Sequence, residues 1–229
     1  MVGIHLAADG LSLEQACHYL ELFGDELESV KIHDLLDSLG PRCIAALKTA
    51  GARRLWVDYK LLDTPGTVGK RAKALVSNGA DILTVHGGDI DIMRATVESG
   101  AETYAVTALT SLAPSEVELL YGHGPQAVVL YRARMAKLAG VHGIVASAQE
   151  VDMLVGRPEL KGMKIVIPGT RSPGVALGDQ KRSDTPEAAV RAGATDLVVG
   201  SEVTTAENPL EAFHTFSRGA HAGLEPPEA

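Results

Sequence analysis

Short apolar runs alternate with longer amphipathic stretches along the whole chain. Strands are predicted over Val2–Ala8, Glu28–His33, Arg54–Lys60, Ile82–His86, Thr103–Ala108, Gly143–Ala146, Lys164–Ile167 and Asp196–Val199. These runs are mostly aliphatic and β-branched, the pattern of parallel strands buried on both faces. The stretches between them carry helix signals. Ser12, with Gln15 three residues on, forms a capping box at the start of the first helix. Further helices are expected at about 41–50, 68–77 (stopped by Gly79), from the fourth strand to Ser99, and at 114–120, 149–155 and 209–217. Another covers 185–192, with Pro186 in its first turn. Residues 127–139 read as helical, although Ala127–Tyr131 could be taken for a strand.

Eight strand–helix units follow one another with no linker or break in composition. This rhythm predicts a (β/α)8 TIM barrel, an α/β fold, as a single domain over residues 1–222 with a flexible tail at 223–229. The competing architecture is an open doubly wound sheet, but no G-x-G-x-x-G follows the first strand. The 229 residues, 45% of them hydrophobic, suffice for one large core.

Charge narrows the function. The net charge is −8 and no basic run occurs, so nucleic acid is not an expected partner. The two cysteines, Cys17 and Cys43, and the eight scattered histidines form no disulfide framework, zinc spacing or H-E-x-x-H pattern. The first residues lack a basic, then apolar, leader pattern, and no 18-residue apolar run exists. No membrane association and a reducing cytoplasmic setting are therefore expected.

The chemistry gathers at predicted strand ends. Asp58 and Lys60, two apart on the third strand, share one face, and Asp63 follows in the loop. Read alone, the trio is equally a solvated ion pair at a strand end. Other strands add polar groups at the same end. Asp9 ends the first, and Lys31 sits inside the second, where it must be paired or face a wet cavity. His86 ends the fourth, Thr110 and Ser111 follow the fifth, and Gly200 and Ser201 follow the eighth. The glycine-rich loop after the seventh carries Arg171 and Gln180, where such barrels bind phosphate. Simpler roles exist for several of these. Asp9 could be a helix N-terminal acid, His86 a packed strand-end residue, and Thr110 and Ser111 helix caps.

These residues, taken in order, resemble the orotidine 5′-phosphate decarboxylase family. The resemblance rests on D-x-K-x-x-D at 58–63 followed by Thr64-Pro-Gly-Thr67-Val, on the strand-two Lys31, and on Thr84-Val-His86 and Leu109-Thr110-Ser111. It continues through Pro168-Gly-Thr-Arg171, Gly178-Asp-Gln180-Lys-Arg182 and Val199-Gly200, spanning residues 5 to about 212. D-x-K-x-x-D also occurs in related barrels such as 3-keto-L-gulonate 6-phosphate decarboxylase. The P-G-x-R and G-D-Q-K-R stretches are similar to the bacterial orotidylate branch.

The resemblance implies a cofactor-free and metal-free decarboxylation of orotidine 5′-phosphate to UMP in a homodimer with shared sites. It implies that Lys31, Asp58 and Lys60 of one subunit and Asp63 of the other form an alternating charge array, with Lys60 protonating C6. Asp9 and Lys31 would bind the ribose hydroxyls, and Thr110 and Ser111 the pyrimidine. Arg171, Gln180 and the Gly200 amide would bind the phosphate, and Thr64 and Thr67 would reach across the interface. The chain also departs from the family. Ser201 stands where an arginine usually contacts the phosphate, Gly66 replaces asparagine, Leu62 histidine and Thr64 isoleucine. The charge array is intact, whereas phosphate binding is weakened at Ser201, so substrate identity is the open point. A divergent decarboxylase of another pyrimidine nucleotide or sugar phosphate, or a catalytically silent binding barrel, are the alternatives.

Overall fold

Residue alternation along each strand decides what faces the barrel interior and what faces the helices. The computed structural model describes residues 1–175 and 184–225. Its strands are β1 (Gly3–Ala7), β2 (Ser29–Ile32), β3 (Leu55–Leu61), β4 (Ile82–His86), β5 (Glu102–Val106), β6 (Gly143–Val145), β7 (Lys164–Pro168) and β8 (Asp196–Val199). All eight are parallel and pair in chain order, and β8 returns to β1 to close the barrel. On β1, Ile4 and Leu6 face the helix layer; on β3, Leu55 and Val57 do the same. Their alternates Ala7, Trp56, Tyr104, Val106, Val145, Val166 and Val198 fill the interior as a separate apolar cluster.

The helices are α1 (Leu13–Phe23), α2 (Asp34–Leu39), α3 (Arg42–Thr49), α4 (Pro65–Ser77), α5 (Ile90–Val97), α6 (Pro114–Tyr121), α7 (Pro125–Leu138), α8 (Val151–Val155), α9 (Pro186–Arg191), α10 (Ser201–Thr204) and α11 (Pro209–Ala222). The capping box of Ser12 and Gln15 is formed. Ala127–Tyr131 is helical, inside α7. α4 opens at Pro65 rather than Val68, with Thr64 as its N-cap. α2, a single short helix directly after β2, was not expected. β5 ends two residues before Ala108, although Thr107 N–H still bonds the Val145 carbonyl at 3.1 Å. No described helix is long and apolar enough to cross a membrane. Gly223, the first residue of the expected tail, is buried.

β3 is irregular where it matters most. Val57 pairs with Leu83 and Leu61 with Val85, so four steps along β3 match two along β4. The bulge falls on Asp58–Lys60, and Lys60 takes φ +44°, the one non-glycine positive φ among the described residues. Bulges re-aim side chains and bend strand ends.

The N-terminal end of the barrel carries a separate ion network. Arg54 bridges Glu28, at 2.9 Å, and Glu102. Lys164 lies 3.0 Å from Glu102 and 3.5 Å from Asp196, which lies 3.0 Å from His5. Burial opposes ionisation of Glu102, but bonds from Tyr104, Arg54 and Lys164 outweigh it and bring its pKa down from 4.5 to about 2. The lowered value means that Glu102 stabilises the fold fully above about pH 4.5 and loses that contribution as pH falls towards 2. Glu102→Gln is therefore expected to lower unfolding free energy by about 2 kcal/mol at pH 7, and by much less near pH 2. Urea unfolding at both pH values checks this. An equal deficit at both would show that the carboxylate's charge is not the cause.

Candidate active site

A cavity of about 590 Å³ opens at the C-terminal ends of the strands. Its apolar walls come from the interior cluster: Ala7, Trp56, Val106, Val145 and Val198. Trp56 is held by a 2.6 Å bond from its Nε1 to Thr84 Oγ1. Polar groups from β1, β2, β3 and the β5, β7 and β8 loops surround this floor. In a TIM barrel this is the end that carries chemistry.

Along one wall runs a continuous chain of charge. Lys31 Nζ lies 2.9 Å from Asp9 Oδ1 and 3.1 Å from Asp58 Oδ2, and Lys60 Nζ lies 3.0 Å from the same Asp58 oxygen. Side-chain exposure is 8% and 10% for Lys31 and Asp58, but 40% and 46% for Lys60 and Asp9. A buried ion pair thus lies between two solvent-facing ends. Two residues along a regular strand span about 6.6 Å. The bulge at Lys60 lets its ammonium fold back onto Asp58 all the same.

The electrostatics explain why these groups stay charged. Burial works against the Lys31 ammonium, but the carboxylates of Asp58 and Asp9 outweigh it and hold its pKa above the ordinary lysine value. Burial likewise opposes ionisation of Asp58, and Lys31 and then Lys60 hold it below the usual carboxylate range. Each charge supports its neighbour. Removing one member of a buried pair costs about 3–5 kcal/mol, since the other is left uncompensated.

At the opposite end of the cavity lies Arg171, buried at 9% exposure. Its Nη1 donates to the Thr170 carbonyl at 2.9 Å and its Nη2 to Ser201 Oγ at 3.3 Å. Its backbone N–H donates to the Asp184 carbonyl at 3.0 Å, tying together the feet of the β7 loop. Glu202 accepts from Ser172 N–H at 3.1 Å and holds the same loop against α10. Thr110 and Ser111 line the cavity beside Leu109, and Gly200 and Ser201 line the Arg171 end. Gln180, with Lys181 and Arg182, lies outside the described residues.

The structure therefore brings together Asp9, Lys31, Asp58, Lys60, Thr110, Ser111, Arg171, Gly200 and Ser201. It does not bring Asp63, Thr64 or Thr67 into the cavity of their own chain. Asp63 is exposed and accepts the Thr64 N–H at 2.6 Å; Thr64 and Thr67 bond one another at 3.0 Å. Sequence reasoning missed Trp56, Leu11, Gln15, Thr204 and Thr205, all in the lining. Trp56 was detectable, since it lies two residues before Asp58 on the same face.

Among the described residues, Asp9, His33 and Asp34 gather closely enough to suit a metal ion. Lys31 already pairs with Asp9 at 2.9 Å, and Asp34 Oδ2 accepts the Gly10 N–H at 3.0 Å.

The model of the orotidine 5′-phosphate decarboxylase / HUMPS family matches residues 4–216. The chain belongs to this family. Among its relatives, the orotidine 5′-phosphate decarboxylase of Cereibacter sphaeroides is 36% identical over 214 residues, covering 90% of this chain and 92% of the relative. That of Caulobacter vibrioides is 38% identical over 213 residues, covering 88% and 89%. The crystal structure of the Lactobacillus acidophilus orotidine 5′-phosphate decarboxylase matches with TM-score 0.79 at 27% identity, covering 97% of this chain and 100% of the other.

Proposed function

We propose that the chain decarboxylates orotidine 5′-phosphate to UMP without a cofactor. The observation that carries this is the Lys31–Asp58–Lys60 chain on the wall of an apolar-floored cavity. A carbanion at a pyrimidine carbon has no electron sink in the ring, so the site must supply fixed positive charge. As the C6–carboxylate bond breaks, its electron pair stays on C6 and carbon dioxide leaves. Lys60 stabilises that charge and then transfers a proton from Nζ to C6. Asp58 would lie near the departing carboxylate. Lys31 keeps Asp58 ionised and, with Asp9, binds the ribose hydroxyls. Thr110 and Ser111 hold the ring, and Arg171, Gln180, the Gly200 amide and Ser201 take the phosphate. Grip on the phosphate end supplies binding energy for aligning the ring. In a homodimer, Asp63 of the partner subunit would extend the array to Lys60, with Thr64 and Thr67 at the interface.

A second reading, decarboxylation of another pyrimidine nucleotide or of a sugar phosphate, draws on Ser201. Serine gives one neutral donor where arginine gives a charged fork.

The test is the loss of orotidylate absorbance with purified protein. Turnover is expected to be unchanged by a chelator. Turnover that needs added metal would overturn the cofactor-free reading. No turnover at millimolar orotidylate, with a sugar phosphate consumed instead, would establish the second.

A further inference from the structure

The corner after β1 is held by the two residues that follow β2. Asp9 is nearly half exposed at the cavity mouth, where a carboxylate rotates freely unless several bonds fix it. Lys31 fixes it from inside, with Nζ at 2.9 Å from Oδ1 and 3.1 Å from Oδ2. His33 fixes it from outside, with Nε2 at 3.0 Å from Oδ1. Asp34 holds the backbone of the same corner: its Oδ2 accepts the Gly10 N–H at 3.0 Å. Gly10 sits at φ +73°, so this turn takes a conformation that a side chain would resist.

The histidine's other nitrogen lies against Asp34. Nδ1 accepts the Asp34 N–H at 2.7 Å and lies 3.0 Å from Asp34 Oδ1, which anchors the ring while Nε2 lies beside Asp9. Asp9 Oδ1 thus has both Lys31 and His33 beside it and Oδ2 has Lys31 alone, which leaves Oδ2 with acceptor capacity for a ligand hydroxyl.

We infer that His33 is a positioning residue for sugar recognition, orienting the Asp9 carboxylate so that Oδ2 accepts a ribose hydroxyl. This rests on the function proposed above. The contact is made alike in ground and transition states, so its loss falls on KM rather than kcat. His33→Leu is expected to weaken UMP binding about tenfold by calorimetry, with a parallel rise in KM for orotidylate. His33→Gln, whose amide NH₂ reaches the same place as Nε2, is expected to recover most of the loss. Binding of 2′,3′-dideoxy-UMP, which offers no hydroxyl, should be the same in parent and His33→Leu. In an Asp9→Ala background, His33→Leu should have no further effect.

Equal weakening for UMP and the dideoxy compound, or a full loss persisting in Asp9→Ala, would overturn the positioning role. So would a folded His33→Leu protein that binds UMP as the parent does. A parent that neither binds UMP nor consumes orotidylate would instead overturn the proposed function and take this inference with it.

Discussion

Lys60→Ala is expected to lower kcat for orotidylate by about 10⁴-fold while leaving the barrel folded. The change removes two contributions at once. A positioned general acid is typically worth about 10²–10⁴ in rate, and a preorganised charge at the site of developing anion about 10²–10³. The two act through one ammonium and do not simply multiply, so about 10⁴, or roughly 5.5 kcal/mol, is the reasonable scale. The fold should survive because Lys60 is 40% exposed and Asp58 keeps its 3.1 Å bond to Lys31. Lys60→Arg should rescue little, since a guanidinium keeps the charge but holds its proton too tightly. Single-turnover kinetics alongside thermal melts check both variants. A loss of less than about 100-fold in folded Lys60→Ala would exclude Lys60 as the proton donor.

Mixing two inactive proteins is expected to restore activity. Asp63 makes no ion pair with Lys60 of its own chain among the described residues, and it lies exposed beside Leu62, itself 60% exposed. Its use in the charge array therefore requires a second copy of the chain. In a dimer of Lys60→Ala with Asp63→Ala, one site has lost both residues and the other has lost neither. Random exchange of equal amounts makes about half the dimers mixed, so roughly a quarter of all sites regain full function. Against parents reduced by orders of magnitude, that recovery is unmistakable. Its absence, once native mass spectrometry has shown subunit exchange, would confine the site to one chain.

The strands were legible because alternation along each of them states which residues face in and which face out. The wall of the cavity follows from that rule: Asp58 shares the inner face with Trp56, and Lys31 with Ser29. What alternation could not show was the bulge that turns Lys60 back onto Asp58, because an inserted residue leaves no hydropathy mark. α2 was missed because six residues are too few to display helical period, and His33 read as a strand end. Trp56 was not singled out, since an indole reads as burial whether it lies under helices or under a cavity. Asp63, Thr64 and Thr67 stand apart from the cavity in a single chain, and no intrachain pattern can show where a second copy would sit.

Lys60 occupies backbone that L-residues resist, at φ +44°. A side chain in this region costs about 1–2 kcal/mol that glycine would avoid. Were the barrel kept only as a scaffold, drift would favour glycine at position 60, and the fold would gain stability from the exchange. Lysine here is the reverse bargain: a trade-off in which conformational ease is given up to aim one ammonium. An uphill backbone of this kind is what a site that must aim one side chain would keep.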